Sequence, residues 1–203
     1  MKIIKINREI VDADVVKLVT DILRNGGVVV HPTDTCYGLA ADVFNKAAVD
    51  KVAGIKQMAK EKPISVIAGD LNNLHKFVYI DESTQKIIDQ YWPGALTIVF
   101  KRKKVFPLFY NNGNETIGIR YPKCGYSLAF AKSLSGFITT TSANVTGSQN
   151  PYSLHDILRE FDAQKLKPDL VLDAGLLPEI KPSTIVKVEN DKIEILRRGE
   201  LEL

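Results

Sequence analysis

Strand-like and helix-like patterns alternate along the whole chain, and this alternation restricts the fold more than any single motif does. Runs of β-branched and other apolar residues at 2–6, 28–31 and 63–70 are separated by segments whose apolar residues recur at helical spacing. Strands and helices that interleave in this way form an α/β domain, in which helices cover a mixed sheet. A chain of 203 residues can also bury one sizeable core. We therefore predict an α/β fold.

The same patterns define the remaining elements. Further helices are expected at 15–23, 45–58, 83–92, 126–136 and 153–161, and further strands at 95–103, 116–122, 137–144 and 169–175. Asp14 is expected to cap the first helix, and Gly26-Gly27 to end it. Residues 183–199 have the pattern of a hairpin whose turn lies near Asn190 and Asp191. No linker or repeat divides the chain, so a single domain over 1–203 is predicted.

The charge and the cysteine content exclude several classes of protein. Lys and Arg together number 27 and Asp and Glu 24, which gives a net charge of +3. This small excess is compatible with an anionic ligand or a weak contact with RNA, but it is not the charge of a dedicated nucleic-acid binder. The two cysteines, Cys36 and Cys124, form no CxxC motif. Neither a disulfide scaffold nor a structural zinc site is therefore expected.

The chain has neither the pattern of a membrane protein nor that of a secreted one. Residues 1–17 alternate charged and apolar side chains, unlike a signal peptide, and no apolar run approaches the ~20 residues needed to span a bilayer. Two cysteines without a pairing pattern also suit a reducing compartment. We therefore predict a cytoplasmic location and no membrane contact.

Several common catalytic motifs are absent from the sequence. There is no GxxxxGK[ST] loop, no GxGxxG that opens a helix, no HExxH and no GxSxG. His31, His75 and His155 are scattered, and we interpret each as an ordinary strand-end or surface residue. Cys36 lies in a polar turn without a companion histidine, so we interpret it as a small semi-buried thiol and not as a nucleophile.

Polar side chains collect instead where predicted strands and helices end. Thr33 and Thr35 follow the strand 28–31, and the strand 137–144 ends in the hydroxyl-rich run TTTSAN. Cations lie at similar positions: Lys56 with Lys60 and Lys62, Arg120, and Arg197 opposite Ser183 in the hairpin. Ligands of α/β sheets commonly lie outside strand ends. A pocket of cations and hydroxyls with few carboxylates would suit a ligand with several negative charges, such as a nucleoside triphosphate with a second anion.

A purely structural interpretation of the same residues stays open at this point. Hydroxyl residues at strand ends commonly form turns and helix caps, and lysines after a helix commonly contact its terminal carbonyls. Arg120 lies in an otherwise apolar strand, where an arginine is costly unless it is paired or exposed. Spacing alone does not distinguish a ligand contact from an edge-strand arginine that faces water.

The segments "PTDTCYGLAADV", "IKQMAKEKPISV", "GIRYP", "TTTSANVTG" and "STIV…ILRRG" resemble, in order, the signature of the YrdC-like family. The best-known members of that family are threonylcarbamoyl-AMP synthases. These nucleotidyltransferases convert L-threonine, bicarbonate and ATP into threonylcarbamoyl-adenylate and pyrophosphate, and a separate transferase complex then modifies an adenosine of tRNA. The resemblance implies a single YrdC-like domain of the short form, with a twisted mixed sheet and helices around a positively lined cavity.

The resemblance also implies roles for individual residues. The positions matched to the threonine site are Thr35, Arg120, Thr140, Thr141 and Ser183. The positions matched to the nucleotide site are Lys56, Met58, Lys62, Thr116, Ser142, Ala143, Asn144 and Arg197. Lys56 and Arg197 would stabilise the phosphates, and Arg120 would pair with the threonine carboxylate, which makes these three the expected catalytic residues. ATP would bring Mg²⁺, and no side chain is expected as a metal ligand.

Two residues depart from the family pattern. Met58 stands where the family's Lys-x-Arg motif has an arginine that contacts phosphate, and Ile67 stands where some members have a histidine. Lys60 or Lys62 would have to replace the missing arginine. Sister proteins of the YciO type depart at the same motif, so the alternative prediction is a non-catalytic protein of this fold that binds a nucleotide or RNA. A synthase that uses another amino acid is a third possibility.

Overall fold

The computed structural model describes residues 1–59, 62–107, 109–189 and 192–203, and of Asn111 and Asn112 it describes the main chain alone. The predicted hairpin turn at Asn190 and Asp191 and the side chain of Lys60 lie outside the described residues. Both of those interpretations therefore stay predictions.

Among the residues that the structure describes, five α-helices form where the helical spacing predicts them. They are α1 Ala13–Arg24, α2 Lys46–Ile55, α3 Glu82–Tyr91, α4 Gly125–Ser133 and α5 Leu154–Phe161. The cap of α1 was assigned wrongly from the sequence: Asp12, and not Asp14, accepts hydrogen bonds from the main-chain N–H groups of Asp14 and Val15. Asn45, Asp81 and Ser153 accept equivalent bonds at the starts of α2, α3 and α5.

The described part of the chain contains ten strands, which form two sheets. The strands are β1 Lys2–Lys5, β2 Val29–His31, β3 Gly38–Ala40, β4 Ser65–Ala68, β5 Leu96–Lys101, β6 Thr116–Arg120, β7 Phe137–Thr140, β8 Leu170–Asp173, β9 Thr184–Glu189 and β10 Lys192–Arg197. One sheet has the order β1-β8-β2-β3 and the other the order β10-β9-β5-β6-β4-β7. Both sheets contain parallel and antiparallel pairs. The predicted fold class, a twisted mixed sheet flanked by helices, is therefore confirmed, with the difference that the strands divide into two sheets.

The two sheets meet beside β3, a strand that the sequence patterns missed. The main-chain N–H of Leu39 donates to the carbonyl of Thr141, and isolated bridges join Gly38 to Ser142 and Asp42 to Ile138. A Cβ atom on Gly38 would lie 3.3 Å from the carbonyl oxygen of Thr141, so glycine allows the close approach of these two segments. This junction brings the hydroxyl run after β2 next to the hydroxyl run after β7.

Two apolar clusters hold the helices against the sheets. One contains α2, α3 and α5 residues, including Val52, Ile88 and Ile157, with apolar side chains of both sheets. The other joins α1 and α4 through Val19, Leu23 and Phe130 to the opposite side of the sheets. Burial of side chains of this size stabilises the fold by roughly 1.5–3 kcal/mol each. Within the described residues, no helix combines the length and the apolar character that a membrane crossing requires.

Candidate functional site

The segment between β2 and β3 is a turn held by one hydroxyl. Thr33 Oγ1 donates to the carbonyl of Cys36 at 2.6 Å and accepts from the N–H groups of Thr35 and Cys36 at 3.1 and 3.3 Å. Thr33 is therefore the residue that closes the turn, as serine and threonine often do. The hydroxyl of Thr35 lies 3.2 Å from Thr33 Oγ1, so the two threonine side chains of the turn are joined by a hydrogen bond.

Arg120, at the end of β6, reaches this turn. Its NH1 donates to Thr35 Oγ1 at 3.2 Å, and its NH2 forms a 2.6 Å ion pair with Asp34 Oδ1. The side chains of Arg120 and Asp34 are 6% and 14% exposed, so the pair is shielded from water. Asp34 Oδ2 also accepts from the main-chain N–H of Lys123 at 3.0 Å. The arginine in the apolar strand is thus buried and paired, and it is not an edge residue that faces water.

Lys56 occupies the C-cap of α2 and is 4% exposed. Its Nζ donates to the carbonyls of Ser142 and Asn144 at 2.6 and 2.8 Å and to Asn144 Oδ1 at 3.0 Å. Burial, with a smaller contribution from the Lys62 charge, lowers the pKa of Lys56 to about 8. The main-chain carbonyl of Lys56 accepts from Thr146 N–H, so the end of α2 and the segment after β7 are joined twice.

Arg197, at the end of β10, is held by Ser183. Its Nε and NH2 donate to the carbonyl of Ser183 at 3.2 and 2.6 Å, and NH2 also lies 3.2 Å from Ser183 Oγ. Ser183 Oγ in turn shares a 2.8 Å hydrogen bond with Thr97 Oγ1 of β5. The surrounding protein, which partly shields the guanidinium from water, and the nearby Arg120 charge lower the pKa of Arg197, a group that stays protonated at neutral pH.

These groups line a cavity of about 460 Å³ between the two sheets. Lys56, Lys62, Arg120 and Arg197 line it, together with ten threonine and serine residues. Among the described residues, no aspartate or glutamate lines it, and no cluster of His, Cys, Asp and Glu could hold a metal ion. Such a cavity favours an anionic ligand.

The cavity brings together most of the residues that the sequence assigned to a site. The predicted site residues that line it are Thr35, Lys56, Met58, Lys62, Arg120, Thr140, Thr141, Ser142, Asn144, Ser183 and Arg197. Thr116 does not line it, because it begins β6 beside Lys101, at the opposite end of the strand from Arg120. Ala143 does not line it either: its side chain is fully buried, and its N–H donates to the carbonyl of Tyr37. The structure does not support a nucleotide contact for these two residues.

Met58 reaches the cavity because of how α2 ends. Gln57 has a φ of 48°, the N–H of Gln57 donates to the carbonyl of Gly54, and that of Met58 donates to the carbonyl of Ala53. This pattern is a Schellman motif, which is usually formed with glycine at the position that Gln57 occupies. Met58 is partly buried, lines the cavity and packs against the larger apolar cluster. A thioether thus stands in the wall where the resemblance predicts a guanidinium.

Sequence reasoning missed several residues that shape the site. Asp34 holds the Arg120 side chain by an ion pair, and Thr97 holds the Ser183 side chain by a hydrogen bond. Thr146 and Ser148 line the cavity on the segment after β7. The sequence signal for Asp34 was its place between two threonines in the turn, but its partner lies 86 residues away.

Cys36 and His31 have the structural roles that the sequence predicts. Cys36 is buried, and burial raises the pKa of its thiol to about 11, so the residue stays a neutral thiol. His31 ends β2, is fully buried, and has its pKa lowered by burial to about 4. Both groups are therefore neutral near pH 7.

The fold and the cavity define an α/β domain with a cavity lined by cations and hydroxyls between two sheets. The family profile for Sua5, YciO and YrdC proteins, described as "Telomere recombination", matches residues 21–199. The chain belongs to this family.

Relatives with names and structures include both enzymes and a protein of unknown activity. A Methanocaldococcus jannaschii protein provisionally named threonylcarbamoyl-AMP synthase is 39% identical over 178 residues, which are 87% of this chain and 82% of that protein. The Sua5 protein of Pyrococcus abyssi, solved in complex with L-threonine, matches with a TM-score of 0.88 and 26% identity, over 98% of this chain and 57% of Sua5. YciO of Escherichia coli, described as uncharacterized, matches with a TM-score of 0.85 and 25% identity, over 98% of this chain and 96% of YciO.

Proposed function

We propose that this protein is a threonylcarbamoyl-AMP synthase, which forms threonylcarbamoyl-AMP and pyrophosphate from L-threonine, bicarbonate and ATP. The observation that carries the proposal is the composition of the cavity, in which a buried Arg120 and Thr35 lie near three further cations and no carboxylate of the described residues lines the wall. The name of the Methanocaldococcus relative and the threonine complex of Sua5 support it.

The Arg120 side of the cavity would bind the amino acid. The Nε, NH1 and NH2 atoms of Arg120 each donate one hydrogen bond to the protein, to Gly94, Thr35 and Asp34. A guanidinium has five N–H donors, so two remain for a carboxylate. Thr140, Thr141 and Ser183 line the same cavity and would offer hydroxyls to the threonine side chain.

Two other cations of the cavity would bind the phosphates. Arg197 and Lys62 line the cavity, and neither forms an ion pair with a carboxylate of the described residues. Their charges, with that of Lys56, would offset the negative charge that moves onto the leaving pyrophosphate. Mg²⁺ would arrive with ATP and be held by phosphates and water, since the described residues offer no metal-ligand cluster.

The reaction needs orientation more than a protein nucleophile. The threonine amine would attack bicarbonate, with loss of water, or the CO2 derived from it, with loss of a proton to solvent, to form a carbamate. A carbamate oxygen would then attack the α-phosphorus of ATP as the bond to pyrophosphate breaks. Binding both substrates in one cavity makes these steps effectively intramolecular. The neutral Cys36 thiol takes no part in this scheme. The product would pass to a separate complex that modifies tRNA, and we propose at most a weak tRNA contact for this chain.

Pyrophosphate release by the purified protein tests the proposal. Release from ATP should require both threonine and bicarbonate, and mass spectrometry should detect threonylcarbamoyl-AMP. If other amino acids replace threonine equally well, the reaction class stands and the substrate assignment is wrong. If no combination of the three substrates releases pyrophosphate, the synthase proposal is wrong.

Met58 favours one alternative, a non-catalytic nucleotide-binding protein like an inactive sister of the family. Its thioether offers the phosphates no positive charge. The variant Met58→Arg, with Met58→Leu as the control of similar size, separates the two functions. If the natural protein releases pyrophosphate and Met58→Leu does so as well, the result supports the synthase. Activity that appears only in Met58→Arg supports the binding protein.

A further inference from the structure

The ammonium group of Lys56 has no proton left for a ligand. A protonated lysine has three N–H donors, and all three point at protein oxygens: the carbonyl of Ser142, the carbonyl of Asn144 and Asn144 Oδ1. These distances run from 2.6 to 3.0 Å, which is the range of strong charge-assisted hydrogen bonds. A phosphate could contact Nζ only if one of these bonds broke.

The side-chain amide of Asn144 likewise uses all its hydrogen-bond donors and acceptors within the protein. Its Oδ1 accepts from Lys56 Nζ and from Ser142 Oγ, the latter at 2.6 Å. Its Nδ2 donates to the carbonyls of Ser148 and Gln149 at 2.7 and 3.0 Å. An amide side chain has two donor hydrogens and two acceptor lone pairs, so no capacity remains. Asn144 is 4% exposed, and it ties both ends of residues 142–149 together.

The segment 142–149 is fixed at further points around this centre. Thr146 N–H donates to the carbonyl of Lys56 at 2.9 Å, and Val145 N–H donates to Glu160 Oε2 of α5 at 2.9 Å. Thr146 and Ser148 line the cavity. The side-chain hydroxyls of these two residues form no hydrogen bond within the described part of the chain. The segment therefore combines a fixed main chain with two free hydroxyls.

We propose that Lys56 is a positioning residue that fixes the segment 142–149, and that the hydroxyls of Thr146 and Ser148 are the groups that contact the bound anion. The proposal rests on the proposed function only in taking ATP as that anion. The Lys56 charge still favours an anion at short range, but its hydrogen bonds serve the protein. Lys62, which has no ion pair with a described carboxylate, is the lysine left for a direct contact.

Hydrogen exchange of the ligand-free protein tests the positioning role without any assay of activity. In Lys56→Met, the amides of residues 142–149 should exchange at least about tenfold faster than in the natural protein, because the bonds that hold the segment are lost. Lys62→Met is the matched control, and it should leave the exchange of this segment unchanged within about twofold. Unchanged exchange in Lys56→Met would overturn the proposal.

ATP titration by calorimetry tests the second half of the proposal. Thr146→Val and Ser148→Ala should each weaken ATP binding, by about tenfold for one lost charge-assisted hydrogen bond, and leave the exchange of 142–149 unchanged. If both variants bind ATP as tightly as the natural protein does, the contacts assigned to these two hydroxyls are wrong. If Lys56→Met weakens ATP binding without faster exchange, Lys56 contacts the anion directly, and the positioning role is wrong.

A milder substitution decides the question if Lys56→Met does not fold. Lys56→Gln keeps two N–H donors, and Lys62→Gln is its control. Faster exchange confined to 142–149 in the Lys56 variant supports the positioning role, and equal exchange in the two variants contradicts it. Because these measurements use the ligand-free protein, a failure of the synthase proposal does not alter their outcome.

Discussion

Arg120 and Arg197 line one cavity but are held in opposite ways. Arg120 is 5% exposed and forms an ion pair with Asp34, which does not line the cavity. Arg197 is exposed and donates to the oxygens of Ser183, without a carboxylate partner among the described residues. Arg120 therefore offers hydrogen-bond donors in a fixed orientation, and its charge is balanced by Asp34. Arg197 instead adds net positive charge to the cavity.

This difference suits two kinds of ligand. A single carboxylate needs donors in a fixed orientation, and a balanced ion pair supplies them without a large electrostatic field. A triphosphate needs an excess of positive charge more than it needs one exact angle. We infer that the cavity divides the two tasks between Arg120 and Arg197.

The largest effect is expected for Arg120→Met. The substitution leaves the buried Asp34 carboxylate without its cation, so the free energy of unfolding should fall by about 3–5 kcal/mol. Threonine-dependent turnover should be lost as well. Denaturant titration and pyrophosphate release measure the two effects. Arg159→Met, which removes a 51% exposed arginine from a helix-surface pair, is the control and should change stability by less than about 0.5 kcal/mol.

Asp34→Asn should have an intermediate effect. The amide keeps an acceptor for Arg120 but loses the charge, which should cost about 1–3 kcal/mol of unfolding free energy. The Michaelis constant for threonine should rise about tenfold, while that for ATP stays within about twofold, because Asp34 acts through Arg120. Asp34→Glu should recover part of the threonine affinity. An equal rise in both Michaelis constants would contradict a role confined to Arg120.

Arg197→Met should affect the nucleotide and leave the fold nearly unchanged. The exposed side chain loses bonds to Ser183 alone, so the unfolding free energy should fall by less than about 1 kcal/mol. Loss of one charge-assisted bond to phosphate should weaken ATP binding by about 10- to 100-fold. Arg198→Met is the matched control, because Arg198 is the next residue and does not line the cavity.

The smallest effect is expected from salt. Raising the ionic strength from about 0.05 to about 0.2 M shortens the screening length, which should raise the Michaelis constant for ATP several-fold. The constant for threonine should change by less than about twofold, because the Arg120 pair is buried and balanced. Equal salt dependence for both substrates would remove the proposed difference between the two arginines.

The sequence predicted the alternation of helices and strands because apolar periodicity reports directly on which face is buried. It missed β3, whose three residues Gly38–Ala40 are too short to show a period and depend on pairing with β2. The cap at Asp12 was missed because Asp14 is an equally good capping residue two positions further along. Local chemistry did not distinguish between them.

For the site, strand ends and resemblance identified the lining residues but not their hydrogen bonds. Thr116 shares a face of β6 with Arg120, as alternation requires. The two residues are four positions apart along the strand, however, which corresponds to roughly 13 Å. Two of the three N–H donors of Lys56 are taken up by the main-chain carbonyls of Ser142 and Asn144. No pattern of side chains in the sequence predicts these contacts. The partner of Asp34 lies 86 residues away, so only the folded chain identifies it.

The most direct test is a crossed binding experiment by calorimetry. The affinities for threonine, measured with a non-hydrolysable ATP analogue present, and for the analogue alone are compared in Arg120→Lys and Arg197→Lys. Both substitutions keep the charge and lose the planar fork of donors. We predict that Arg120→Lys lowers the affinity for threonine by at least about tenfold, because an ammonium cannot replace a bidentate contact. The affinity for the analogue should fall by less than about twofold. Arg197→Lys should affect the analogue more than threonine. Equal losses for both ligands in both variants would contradict the division of the two tasks between Arg120 and Arg197.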